Sequence, residues 1–522
     1  MRIRASSALV LVISICWLLC SPSCASPASD KVRQPEVAGG FYPANPDELT
    51  KMVDGFLAKA HPANISGPII ALISPHAGYQ YSGVVAAYGY ALLMSHHYQR
   101  VVVIAPSHQE AFNFTSVYDG DAYATPLGMV PVDKAFVRKV VAEGGSIRLS
   151  SRGHDRGGQQ GEHAVEVELP FLQRTLGTFQ LVPIIMGNQS YEASRALGVT
   201  LAKLITNSDT LIVASSDLSH YHPYADATRI DHNTLQAIQE YDYFNLSRNL
   251  QAQVWEACGG APIVATMIAA ERLGANRIDL LKYASSGDVT GDKARVVGYG
   301  ALALYKSSSA KATQPSFLLT TNEKQELLQV ARKSVEAAVR ERKIYQPSTT
   351  SAVLQQDRGA FVTLKINGEL RGCIGYMAPL KSLIDTVRDV AALAALRDPR
   401  FPPVTSLEVT NLQYEISVLS PLQRVHDVKD IRVGQHGLML INGQNEGVLL
   451  PQVPVEQGWD RKTFLEETAR KAGLPASAWK DESTDIFEFT ALVFSAKRLD
   501  AVVPEQPSQP TLQSMTAPRQ PY

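Results

Sequence analysis

Cysteine is scarce in this sequence: five in 522 residues, with Cys16, Cys20 and Cys24 in the first 25 positions. Only Cys258 and Cys373 stand in the body of the chain, far apart, so no disulfide scaffold is expected and each cysteine needs its own explanation. Charge is nearly balanced, with a formal net charge of -1, which gives no reason to expect a nucleic-acid partner. The apolar run near the start, "ALVLVISICWLLC", is too short to span a bilayer comfortably. There is no HExxH to set two histidines one helical turn apart around a zinc, which argues against a simple peptide hydrolase. Nor is there a phosphate loop, a dinucleotide fingerprint, a serine-nucleophile elbow or an internal repeat.

What is present describes a folded protein of more than one domain. Hydrophobic residues make up 45% and charged residues 19%, the balance of a globular chain, and the length predicts two or three domains. Arg2 and Arg4 precede the apolar run, and "SPSCASPASD" follows it, which together read as a signal peptide over 1–25 cleaved after Ala25. Export to a periplasmic or extracellular location is the expectation. The alternative is a lipidated Cys24, and only then is membrane association expected.

From 32 to 306, short apolar strands alternate with helical segments. The strands are "PIIALIS", "RVVVIAP", "FQLVPIIM" and "TLIVASS"; "DKAFVRKVVAE", "SRALGVTLAKLIT" and "APIVATMIAAERLG" read as helices. Fully apolar strands in this alternation predict an α/β domain with a mostly parallel sheet. The small polar segment at 307–316 reads as a linker. A second, smaller α+β domain is predicted over 317–500, opening on a long amphipathic helix capped by Thr321 or Asn322. Its "INGE" and "INGQNEG" segments carry hairpin-turn chemistry. The Pro/Gln-rich tail at 501–522 reads as disordered.

Two fragments frame the functional question. "IIALISPHAG" and "VVVIAPSHQ" are strands that stop at a proline and then present His76 and His108. In an open parallel sheet, ligands bind beyond the carboxyl ends of the strands. A third strand exit, "SSDLSHYH", offers Asp217, His220 and His222. Glu162 and His163 in "GEHAVEVELPF" and Cys258 in "CGGAP" can join them. Imidazole is the commonest protein metal ligand and titrates near neutrality. Cys258 precedes a predicted helix, whose free N–H groups favour a thiolate, itself a ligand for copper, iron or zinc. The plainer alternative stays open: histidines that cap strands and a cysteine that only packs.

The motifs "SPHAGYQYSG", "APSHQ", "EHAVEVELPF", "SSDLSHY" and "CGGAPI", in this order, resemble the Memo family, the B component of the AmmeMemoRadiSam group. That resemblance implies a fold similar to the class III extradiol ring-cleaving dioxygenases. It also implies a metal site at His76, His108 and Cys258. Asp217 and His220 would line the same pocket, with His220 in the place of an acid–base histidine. Non-haem Fe(II) oxygenases use two histidines and a carboxylate; a thiolate in the carboxylate's place favours copper or a redox-active iron. Glu162 is the other candidate carboxylate.

In the second region, "ELRGCIG", "RDPRFPPV", "VGQHGLML", "LLPQVPVEQGWD" and "FLEETARKAGL" resemble the AMMECR domain, the A component of the same group. Cys373 is either a small packing residue or a reactive, catalytic thiol. Arg371, two positions away on a strand, would then share its face and lower its pKa.

Three functions compete: a copper or iron redox protein whose second domain recognises a small-molecule or protein substrate or partner; an Fe(II) extradiol-type dioxygenase acting on a catechol-like aromatic, with His220 as base; and a binding module without metal. The family name implies a radical-SAM protein as third partner. Such a protein's iron–sulfur cluster belongs in the cytoplasm, while the leader signals export, so this version is expected to have separated from it.

Overall fold

A computed structural model describes residues 31–155, 161–307 and 318–496. The leader with Cys24, the linker beyond Ser307 and the tail at 501–522 lie outside the described residues.

Four strands form the centre of a nine-stranded sheet: Ile69–Ser74, Thr210–Ser215, Arg100–Pro106 and Gln180–Met186, in that spatial order and all parallel. Their side chains are apolar on both faces because helices cover the sheet, and nearly every residue in them is buried. Mostly parallel does not describe the whole sheet, which is mixed. Val296–Tyr305 runs antiparallel to Ile69–Ser74, and Arg277–Ser285 and His220–His222 pair antiparallel with it. At the far side Thr115–Val117 is antiparallel to Gln180–Met186. The physical reason is the connection: only a five-residue helix, Ser286–Thr290, and a short turn join Arg277–Ser285 to Val296–Tyr305. A parallel return needs a crossover of a dozen or more residues.

The three helices read from the sequence form at Lys134–Ala142, Tyr191–Leu204 and Gly260–Arg272. Gly260–Arg272 is buried almost throughout and packs tightly on Tyr191–Leu204. Gly198 permits this approach, since a β-carbon there would meet the Ala265 carbonyl at 2.7 Å.

The second part opens with the helix Thr321–Glu336. Its N-cap is Thr320, one residue ahead of the expected positions, because Thr320 and Glu323 close a reciprocal capping box. Two four-stranded sheets follow. In the first, Ala360–Ile366 and Glu369–Tyr376 form a hairpin through Asn367 and Gly368, both at positive φ. The second contains Asp485–Phe489 between Gln423–Arg424 and Gly437–Asn442, which pairs in turn with Asn445–Leu449.

The two parts share one core. Leu419, Leu422, Met439, Ile441, Phe487 and Phe489 of the second belong to the same buried apolar cluster as the strands of the first. Phe487, 1% exposed, meets the rings of Tyr243 and Phe244 at 5.7 and 5.8 Å. Beside it, buried Asp485 accepts from Tyr191 Oη at 3.0 Å and Arg195 Nε at 2.5 Å. Among the described residues no helix is long and apolar enough to cross a membrane.

Candidate metal centre

The strand exits converge as the topology requires. His76 follows Ile69–Ser74, His108 follows Arg100–Pro106, and Asp217 follows Thr210–Ser215; these three strands are near neighbours in the sheet. Cys258 arrives from the loop before Gly260–Arg272. One ligand atom each from His76, His108 and Cys258 lies within 4.8 Å of the others. The packing that brings Cys258 in depends on Gly259, where a β-carbon would collide with the Ser215 carbonyl and stand 2.6 Å from Ser216 Cβ.

Each imidazole is held from behind. His76, 1% exposed, has Nδ1 2.8 Å from Ser215 Oγ. That hydroxyl also lies 2.6 Å from the Ala164 carbonyl and 2.8 Å from Glu168 Oε1. With its one hydrogen directed to these, Ser215 accepts from Nδ1–H, which turns Nε2 toward Cys258 Sγ at 3.2 Å. His108 is oriented by Glu162: Nδ1 lies 3.0 Å from Oε1, and the backbone N–H donates to Oε2 at 2.6 Å. Glu162 also accepts from the N–H groups of His163 and Ala164. Both its oxygens are thus engaged behind His108, the arrangement that fixes a ligating histidine's tautomer.

The electrostatics follow from burial and these partners. Burial pushes the Cys258 thiol up, but charge on His76 and hydrogen bonds from His108 and His76 outweigh it and bring it down to about 6. The Asp217 N–H adds a donor to Sγ at 3.3 Å. Burial would raise Glu162, yet the hydrogen bond and charge of His108 hold it at about 2. Glu168, fully buried, is pushed up to about 7 although Tyr90 and Ser215 bond to it. Asp217 is raised by burial to about 6, while its Oδ1 accepts from the N–H groups of His76 and Ala77.

A pocket of about 710 Å³ opens over this cluster, lined among others by His76, His108, His163, Asp217 and His220. His220 has Nδ1 2.8 Å from the Leu218 carbonyl, which leaves Nε2 as its acceptor. His163 stacks on His108 at 4.7 Å and lies edge-on to His76. Phe41, Tyr81, Tyr299 and Arg295 complete the wall. Of these and the residues behind His76, Tyr81, Ser215 and Glu168 fall inside motifs quoted above, though nothing in the sequence alone singles them out, and Phe41, Tyr299 and Arg295 lie outside those motifs. His108 also borders a second, smaller cavity of about 300 Å³, which is lined by Cys258, Gln189, Ser247 and Leu250 among others.

The remaining sequence candidate lies elsewhere. Cys373 is in the strand Glu369–Tyr376 of the second part, within 3.2 Å of Thr363 Oγ1, and is not among the residues lining the pocket. Arg371 does not attend it. The pairing slips at Leu364/Lys365, and Arg371 turns to Glu408 and to the carbonyls of Pro402 and Pro403. The cation beside Cys373 is Arg400, whose Nη2 donates to the Cys373 carbonyl at 3.2 Å. Asp398, buried in the "RDPRF" turn, holds both Arg400 and the Cys373 N–H.

Comparison with known proteins finds two families in succession along the chain. The Memo-like protein family matches residues 33–303, and the AMMECR1 family matches 328–494. A MEMO1 family protein of Methanopyrus kandleri is 35% identical over 281 residues, covering 52% of this chain and 98% of its own length. Another, from Aeropyrum pernix, is 38% identical over 284 residues, covering 52% and 99%. An uncharacterized Pyrococcus horikoshii protein of known crystal structure is 41% identical, covering 32% of this chain and 89% of its own, with a TM-score of 0.31. The chain therefore belongs to the Memo family and carries an AMMECR1 domain behind its Memo domain in one polypeptide.

Proposed function

We propose that the Memo domain is a metal-dependent redox unit that binds copper or iron through His76, His108 and Cys258. The observation that carries this reading is the convergence of two backside-held imidazoles and a cysteine sulfur within 4.8 Å. Two imidazole nitrogens and a thiolate fit a metal that accepts soft donors, such as copper or iron, rather than magnesium or calcium. When bound, such a metal supplies one-electron chemistry. Ser215 and Glu162 orient the two imidazoles from their Nδ1 sides, and the N–H of Asp217 steadies the thiolate. Asp217 and His220 stand in the pocket as groups that can take or give a proton.

A second reading, an Fe(II) extradiol-type dioxygenase, is favoured by the pocket itself. Its aromatic walls suit a planar catechol-like ring, and His220 presents a bare Nε2 for a phenolic proton. Against it stands Glu162, whose oxygens are committed behind His108. The AMMECR1 domain, on either reading, recognises the substrate or a protein partner. We place the work outside the cytoplasm on the strength of the leader, which separates this version from a radical-SAM partner.

The test is metal content by mass spectrometry of leaderless protein purified without added metal, beside His76→Ala and Cys258→Ser. Near-stoichiometric copper or iron lost in both variants is the expected result. Iron retained in Cys258→Ser, with O₂ consumed on a catechol, transfers support to the dioxygenase. No metal in any sample after anaerobic reconstitution with Fe(II) and Cu(I) refutes both.

A further inference from the structure

The loop that delivers Cys258 is tied to the other domain. It runs from Ala252 to Cys258, between the helices Tyr243–Gln251 and Gly260–Arg272. Gln253 takes a left-handed conformation, φ 56, where a side chain is strained. The N–H groups of Val254 and Trp255 both donate to the Asn249 carbonyl, at 3.0 and 3.3 Å. A loop bent this way needs outside restraint.

The restraint comes from the AMMECR1 side. Trp255, 4% exposed, directs its indole Nε1–H to Asp357 Oδ2 at 2.9 Å. Asn233 Nδ2 donates to the same oxygen at 2.9 Å. The carboxylate sits between a loop and a helix of the Memo domain while belonging to the other domain. Its neighbour Arg358 forks onto Glu240 at 3.1 and 2.7 Å, and the Pro379 carbonyl accepts from Asn249 Nδ2 at 3.3 Å. A buried indole N–H left without an acceptor is costly, so this bond defines where Trp255 can sit.

The residues after Trp255 are those of the site. Glu256 Oε1 lies 2.7 Å from His222 Nε2, and its Oε2 accepts the His220 N–H at 3.2 Å. Cys258 follows two positions later. We propose that Asp357 is a positioning residue for the metal centre. Through Trp255 it sets the loop that carries Cys258 and Glu256, so the docked AMMECR1 domain completes a site whose donors all belong to the Memo domain. The inference rests on the metal reading for one of its two readouts only.

The experiment uses the full chain after leader removal. Cu(I) affinity is measured by competition with a chromogenic chelator. Separately, the rate of Cys258 alkylation by iodoacetamide is measured in metal-free protein at fixed pH, by mass mapping of the Cys258 peptide. Asp357→Ala is expected to weaken Cu(I) binding about tenfold, the lower end of what supporting partners of metal ligands contribute, and to change the alkylation rate at least threefold. Trp255→Phe, which keeps the ring and removes the donor, reproduces both effects, and Asp357→Asn, which keeps an acceptor oxygen, restores most of each. Arg248→Ala, which breaks the interdomain pair with Glu446 away from the loop, leaves both unchanged. Wild-type values in Asp357→Ala and Trp255→Phe overturn the proposal, and so does an equal effect from Arg248→Ala. A wild-type protein that binds neither Cu(I) nor Fe(II), with the alkylation change intact in Asp357→Ala, would refute the metal reading and sustain the positioning role.

Discussion

Phe487→Ala tests whether the two domains fold as one unit. The side chain is 1% exposed and lies against Tyr243 and Phe244 of the Memo domain. Truncating a buried phenylalanine costs about 3–5 kcal/mol in lost transfer energy and cavity formation; take ~4 kcal/mol. The shift in melting temperature depends on the size of the unit that melts, since unfolding entropy is roughly 2.1 cal/mol/K per residue. If the roughly 450 described residues melt together, the entropy is ~0.95 kcal/mol/K and the midpoint falls by ~4 °C. If only the roughly 180 residues from 318 to 496 melt as a unit, it is ~0.38 kcal/mol/K and their own transition falls by ~10 °C. Differential scanning calorimetry of wild type and variant separates the cases. The continuous core predicts one transition moved by the smaller amount. Two transitions, with the first unmoved and the second displaced by the larger amount, would refute the reasoning.

Three further outcomes follow from the site and its supports. In metal-free Cys373→Ser protein, the alkylation rate of Cys258 should level off above pH ~7 and fall below 6, as a thiol held at about 6 requires; His76→Ala should move the inflection above 8, and a wild-type inflection near 9 would contradict the assigned charges. Gly259→Ala, which drives a methyl into the Ser215 carbonyl, should cost about 2 kcal/mol or more in denaturant unfolding and abolish stoichiometric metal. Burial raises Asp242 to about 7 from 3.8, so its neutral form contributes stability below pH ~4 that is lost as pH climbs through 7. Asp242→Asn should therefore gain ~1–2 kcal/mol over wild type at pH 8 and nothing at pH 4; equal differences at both pH values would count against it.

The centre of the sheet and the meeting of His76, His108, Asp217 and His220 were legible because both depend on simple regularities. Apolar runs mark buried strands, and parallel strands deliver their exits to one edge. The antiparallel strands were not legible. Arg277–Ser285 has polar residues interspersed, and Val296–Tyr305 is rich in Gly and Ala, so neither resembles the Val/Ile runs at the centre. Arg371 was misjudged because alternation along a strand holds only while the register holds, and it slips beside that residue. Glu162 could be named as a candidate, but its role behind His108 depends on four hydrogen bonds that no spacing encodes. The same is true of Asp357 and Trp255, 102 positions apart and joined by one bond.

The smaller cavity beside His108 and Cys258 gives the centre an unusual geometry. His108 stands between two chambers: His76 lines the larger, aromatic one, and Cys258 lines the smaller one with Gln189, Ser247 and Leu250. A centre of this kind has two doors. A bulky reactant held against the aromatic wall does not block a diatomic gas or small thiol approaching from the smaller chamber, so the order in which two reactants arrive is not dictated by a single entrance. Widening or plugging the smaller chamber, at Leu250 for instance, would then alter the use of the small reactant while leaving affinity for the large one unchanged.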